Sequence, residues 1–285
     1  MGSILSVCYS TVAMQDLKPW VRLSSIYVYD DPEMEGLDTD GLGRYLRARL
    51  PEVKVEARGE FFTHQLRRLP EDEQEKMAQE LARQLRRAEV TNLVHPAERG
   101  HTAPEDPAEL DLGPVYRAAA LQAIMGVLLD PQENRLDCLH IVLMGQALGD
   151  WDETRHFRLR IACLGHPSLI STVGLIEVPQ RPRQYEFLRA HLLALGLDED
   201  LDDLAETFAG RALGYGDRRI NDVLKGYALM AVLYRLYGEG PCADRTCRLH
   251  DAATQEEMLA RQCGPKARLC PRHSKMLAAA GGRPE

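Results

Sequence analysis

"INDVLKGYALMAVLYRLYGEGPCADRTC", residues 220 to 247, runs a helical pattern into a pair of cysteines. Ile220, Val223, Leu224, Tyr227, Met230, Ala231, Tyr234 and Tyr237 recur at helical spacing, and Gly238 stands where a left-handed C-terminal stop belongs. The spacing predicts a mostly buried amphipathic helix over 219–237. Cys242 follows at once, then Cys247 with four residues between, and "CPRH" later supplies Cys270 and His273.

Thiolate and imidazole are preferred zinc ligands, and close-spaced pairs lose little loop entropy in converging on one ion. Cys242, Cys247, Cys270 and His273 form a closed tetrahedral set, the pattern of one structural zinc that clamps a segment over 241–277 onto the end of the helix. Cys263 is the alternative fourth ligand, and His250 lies three residues after Cys247. His273 is preferred because it shares a tight pair with Cys270, whereas Cys263 ends the helical pattern "AATQEEMLARQC". The seven cysteines are an odd number that cannot all pair internally, and four crowd into 242–270, which favours a metal over disulfides and agrees with a cytoplasmic setting.

Outward from this stretch the chain alternates strands and helices. "LSSIYVYDD" (23–31) reads as a buried strand, "TDGLGRYLRARL" (39–50) as a helix and "EVKVEAR" (52–58) as an alternating strand, a βαβ opening. Residues 71–90 form a charged helix with a solvated face. Residues 95–114, rich in Pro and acids, read as a surface excursion carrying a solvated His95 and His101. A helix over 115–129 precedes three expected strands, 138–144, 157–165 and 169–179, whose short links favour some antiparallel pairing. Helices follow over 182–196, 198–210, 219–237, 252–262 and 271–280. The expected fold class is α/β, a mixed sheet flanked by helices with a zinc-stapled C-terminal helical segment, in a single domain over 20–285.

Composition narrows the function. Charged residues at 27% and hydrophobic residues at 45% fit a folded globular chain. A net charge of −8 disfavours non-specific attraction to nucleic acid or anionic membrane. No uncharged run approaches the roughly 18–20 residues a membrane helix needs, and the mildly apolar start lacks the basic flank of a signal peptide. Residues 242–285 hold eight Lys or Arg against five acids, but no Phe, Tyr or Trp on which bases could stack, so a nucleic-acid module ranks third among the readings.

The helix, Gly238, the Cys242/Cys247 pair and "LCPRHSKML" (269–277) together resemble the archaemetzincins, which carry HExxH on a long helix, a Gly, a third His and then a C-x4-C…C-x2-C zinc site. The segments "LISTVGLIEVP", "LKGYALMAV" and "CRLHDAATQEE" are similar to those of an archaemetzincin-related metallopeptidase group. The resemblance implies an archaemetzincin-like fold, with His273 replacing the last Cys, 22 residues between Cys247 and Cys270, and Leu249 where Met is common. Registered through Gly238 and Cys242, the first catalytic His falls on Ala231, the Glu on Val232, the second His on Arg235 and the third on Pro241. The implied function is a zinc-binding pseudo-metallopeptidase acting in binding or scaffolding. Arg235 is then the candidate for receiving a carboxylate such as a peptide C-terminus. The edge strand 169–179 is the candidate for pairing with an extended peptide.

The runner-up is an active zinc peptidase with non-standard ligands drawn from His140, His156, His166 and Glu177. No two histidines stand four apart with a Glu beside them, and lone histidines at strand ends are usually structural. Ser171 and Thr172 lack a nucleophile elbow, and Cys163 sits in an apolar strand where a thiol is normally inert.

Overall fold

The structure, a computed structural model, describes residues 18–90, 113–152, 154 and 156–283. His95 and His101, and all but the last two residues of the 95–114 excursion, lie outside this set. The opening is β1 (Ser25–Tyr29), α1 (Thr39–Arg49) and β2 (Lys54–Arg58), with β2 parallel to β1. Asp38 caps α1 by accepting from the Gly41 amide at 2.7 Å. Next come α2 (Phe61–Leu66) and α3 (Glu71–Ala88); α3 buries only Leu81 and Ala88, so its charged side is solvated as the pattern required.

The stretch expected as one helix over 115–129 opens instead with a short strand, β3 (Val115–Arg117), before α4 (Ala118–Leu128). β3 lies parallel to β5 (Ala147–Trp151), and β6 (Phe157–Arg160) completes a small sheet antiparallel to β5. The strand expected over 157–165 is broken at Ile161, where the chain leaves this sheet for the main one as β7 (Ala162–Cys163).

The main sheet runs β2-β1-β4-β8-β7, with β4 (Cys138–Met144) and β8 (Ser168–Ser171) parallel to β1 and only β7 antiparallel. β1 therefore has β2 on one side and β4 on the other. Alternation along the strands divides the core: Ile26, Val28, Leu139 and Ile141 face α1, while Tyr27, Tyr29, Val142 and Met144 face Phe61 of α2 and Leu121 of α4.

The strand expected over 169–179 is corrected in two ways. Only Ser168–Ser171 is strand, and Thr172–Glu177 is a helix, α5. Ser171 turns the chain: its hydroxyl donates to the Gln146 carbonyl at 2.7 Å and accepts from the Gly174 amide at 2.8 Å. An apolar run of this length does not distinguish a buried strand from a buried helix, and the cap decides. Nor is β8 an edge, because β4 and β7 flank it.

The C-terminal half is helical: α6 (Arg183–Ala194), α7 (Leu201–Phe208) after a 3-10 turn at Asp198–Asp200, α8 (Ile220–Tyr237), α9 (Gln255–Gln262) and α10 (Pro271–Ala279). α8 is buried on nearly every side, including Val223, Ala228, Ala231 and Val232, because it lies between the sheet, α1 and α9. It ends at Gly238 with φ 68°, over which the Trp20 ring closes so tightly that a Cβ would run into it. No helix among the described residues is long and apolar enough to cross a membrane.

Candidate metal centre

Gly238 turns the chain from α8 into the 242–250 loop. There the Cys242 amide donates to the Leu249 carbonyl at 2.8 Å and the Cys247 amide to Asp244 at 3.0 Å, folding the two thiols to one side. Pro271 starts α10, and the first turn brings His273 beneath Cys270. The ligand atoms of Cys242, Cys247, Cys270 and His273 all lie within 4.8 Å of one another, which makes them a group able to hold a metal ion.

The distances suit a tetrahedron. Cys242 Sγ is 3.9 Å from Cys270 Sγ, and His273 Nδ1 is 3.6 Å from Cys247 Sγ and 3.2 Å from Cys270 Sγ. Zinc–ligand bonds of about 2.3 Å to sulfur and about 2.0 Å to nitrogen require edges of roughly 3.5–3.8 Å. The sulfurs are also electrostatically prepared: Cys247 accepts from the Leu249 amide at 3.5 Å and the Cys270 amide at 3.3 Å, and Cys242 from the Asp244 amide at 3.3 Å. The Cys242 thiol, the His273 ring and the two amides hold the Cys247 thiol well below its usual range, whereas Cys247 and burial push Cys242 up. Burial also raises Cys270. The group thus favours one thiolate before any cation arrives, and a dication would favour the rest. His273 is 1% exposed and among the described residues its Nε2 has no hydrogen-bond partner, so the ring is held through Nδ1 and by packing.

The two competitors for the fourth place are elsewhere. The Cys263 thiol points at the Arg219 carbonyl, 3.9 Å away, and burial pushes it up to about 11. His250 is fixed through Nδ1 to the Cys242 carbonyl at 2.8 Å, with Nε2 3.7 Å from Glu257.

At the positions where the resemblance places catalytic groups, Ala231 and Val232 are fully buried in the core. Pro241 is half-buried. Arg235 is half-buried too, and its Nη2 donates to the main-chain carbonyls of Arg135 at 2.9 Å and Cys138 at 3.4 Å. Part of the fork expected to meet a carboxylate is thus spent tying α8 to the start of β4.

Two of the alternative ligands do meet. The rings of His140 and His166 lie 5.4 Å apart, edge to face. Each is committed: His140 to the Tyr29 hydroxyl and the Glu133 carbonyl, both at 3.1 Å, and His166 to Asn134 at 2.9 Å. Burial lowers both to about 4. Glu177 pairs with Arg181 at 2.9 Å and His156 with Thr154 at 2.7 Å, so no second group of three metal ligands forms among the described residues.

A buried network beside His140 had no sequence signal, since its members are far apart in the chain. Arg58 stacks 3.8 Å over the Tyr27 ring and holds Glu133 through two 2.7 Å bonds. Burial pushes the Tyr29 hydroxyl, which Arg58 and Gln65 contact, up to about 12.

No curated protein and no solved structure matches the chain. A family described as "Probable metallopeptidase family (DUF6775)" does, over residues 22–280, a span that takes in both the sheet and the Cys3His group. The chain belongs to that family.

Proposed function

We propose that the protein binds one structural zinc through Cys242, Cys247, Cys270 and His273, and that it is a catalytically silent relative of the archaemetzincins acting in binding or scaffolding. The observation that carries this reading is the composition of the single metal-ligand group among the described residues: four ligands of the closed structural type, with no fourth position left for water. A hydrolytic site needs three ligands, an open position and a general base. Two aliphatic side chains, a guanidinium and an imino acid stand where the resemblance would put them, and none of the four can supply an imidazole or a carboxylate. The parallel main sheet with one antiparallel edge strand supports the resemblance, but that edge, β7, is two residues long and offers little for peptide pairing.

The family description favours the second reading, an active zinc peptidase with other ligands. Zinc stoichiometry measured alongside turnover of a broad peptide library, with a Cys242→Ser control, separates the two. One zinc per chain and no cleavage is the expected result. A second zinc with chelator-sensitive cleavage would overturn the silent assignment.

A further inference from the structure

The opposite face of the sheet carries a cavity that the metal centre does not use. Its volume is about 260 Å3, and it opens at the C-terminal ends of β1 and β4. These two strands flank the point where the chain order reverses, β2 lying on one side of β1 and β4 on the other. In open parallel sheets that crevice is the favoured place for a ligand.

Two chemistries meet there. The floor is apolar, built from Leu121, Met125 and Val142 with Phe62 and Tyr116 as aromatic walls. The mouth is acidic, with Asp30, Asp31, Glu33 and Glu60 among its lining residues and no Lys or Arg among the described residues that line it. Glu60 is spent as the N-cap of α2, accepting from the Phe62 and Thr63 amides at 2.8 and 2.7 Å. Asp30 takes the Thr39 hydroxyl. Asp31, 4% exposed, is aimed by the Thr172 hydroxyl at 2.8 Å and the Glu33 amide at 3.2 Å. Gly145 keeps the mouth clear, since a Cβ there would lie 3.3 Å from Glu33 Oε2 and 3.4 Å from both Asp31 oxygens.

We propose that this cavity binds a small organic amine of roughly amino-acid size, its ammonium between Asp31 and Glu33 and its apolar or aromatic body against Met125 and Val142. A divalent metal is the weaker fit, because the carboxylate oxygens do not gather within 4.8 Å as the Cys3His donors do. A free amino acid is also disfavoured, since its carboxylate would face a mouth with no cation among the described residues. Burial, and then the nearby Glu33 and Asp30 charges, raise the Asp31 carboxyl above its ordinary range, a strain that an ammonium beside it relieves.

Phenethylamine is the probe, titrated into the full zinc-loaded chain carrying 13C-methyl methionine. The methyl signals of Met125 and Met144, which line the cavity, are expected to move while those of Met258 and Met276, buried across the sheet, stay still. Glu33→Gln, at an exposed side chain, is expected to weaken binding about tenfold through loss of a charge-assisted contact. 3-Phenylpropionate, the same body with the opposite charge, is expected not to bind. Unmoved Met125 and Met144 signals at millimolar amine, equal affinity in Glu33→Gln, or equal binding of the carboxylate would each overturn the assignment.

Discussion

Arg248 and Gln262 hold each other reciprocally inside the protein. The Arg248 Nε donates to Gln262 Oε1 at 3.2 Å, and Gln262 Nε2 returns a bond to the Arg248 carbonyl at 2.6 Å, with both residues 4% exposed or less. Arg248 Nη2 also reaches the Asp222 carbonyl at 2.7 Å. The pair joins the metal-bearing loop, α9 and the first turn of α8, and Gly226 makes room for it, because a Cβ there would run into the Gln262 amide. Gln262→Ala removes the acceptor of Arg248 Nε and the donor to the Arg248 carbonyl while the guanidinium keeps its bond to the Asp222 carbonyl, at a cost of about 1–3 kcal/mol. Urea unfolding of this variant should show that loss, and Gly226→Ala should show one of about 1–3 kcal/mol from overpacking.

Metal analysis of three serine variants tests the ligand set. Cys242→Ser and Cys270→Ser should lose zinc and soften the C-terminal segment, since binding energy at a structural site is folding energy. Cys263→Ser should keep its zinc, because that thiol faces the Arg219 carbonyl. Zinc loss in Cys263→Ser alone would point to a rearranged shell.

Acid should weaken the fold before the carboxylates titrate. His140 is fully buried and lowered from the usual 6.5 to about 4, so between those values the unfolded chain binds a proton that the folded chain refuses. Stability therefore rises with pH across the window from about 4 to 6.5, and His140 alone contributes on the order of 3 kcal/mol to that rise. Glu133, held down chiefly by Arg58, adds stability that is present above the ordinary carboxylate range and is lost as pH falls through its own lowered value. Urea titrations from pH 7 to 5, with zinc content followed in parallel, should give a shallower slope for His140→Gln than for the natural chain.

Ser171→Ala removes a buried cap whose hydroxyl both donates to Gln146 and accepts from Gly174. The expected cost is about 1–2 kcal/mol in Tm-derived stability. A variant as stable as the natural chain would mean that α5 does not depend on this cap.

The metal group and the helix leading into it were legible because their signals are local. Helical spacing, a stop glycine and two close-spaced ligand pairs are properties of short windows, and β1, α1 and β2 likewise matched their patterns. What failed was set by partners distant in the chain. Residues 172–177 look like strand until the Ser171 hydroxyl, anchored on the distant Gln146 carbonyl, is seen to cap the Gly174 amide, and Ile161 divides two strands only because two sheets meet there. Spacing favoured His273 over Cys263 through its tight pair with Cys270, and it is His273 that lies within 4.8 Å of the three thiols, a placement that depends on where α9 ends and α10 begins. The acidic mouth was hidden for the same reason: "YVYDD" reads as one strand, while the strand ends at Tyr29 and leaves Asp30 and Asp31 over the sheet.

The Cys3His group also has a topological effect. Cys247 and Cys270 stand on either side of α9, so an ion between them turns the intervening stretch into a closed ring. A cross-link around a loop of this length removes about 3 kcal/mol of chain freedom from the unfolded ensemble by analogy with a disulfide. The gain is confined to that ring. The sheet face that packs on α2 and α4 shares none of its residues with the group. Hydrogen exchange after chelation should therefore accelerate in α9 and α10 while β1 and β4 keep their protection. Withdrawal of the ion would then act on this protein as a local melting of one helical lobe, leaving the sheet and the amine-sized cavity on its other face in place.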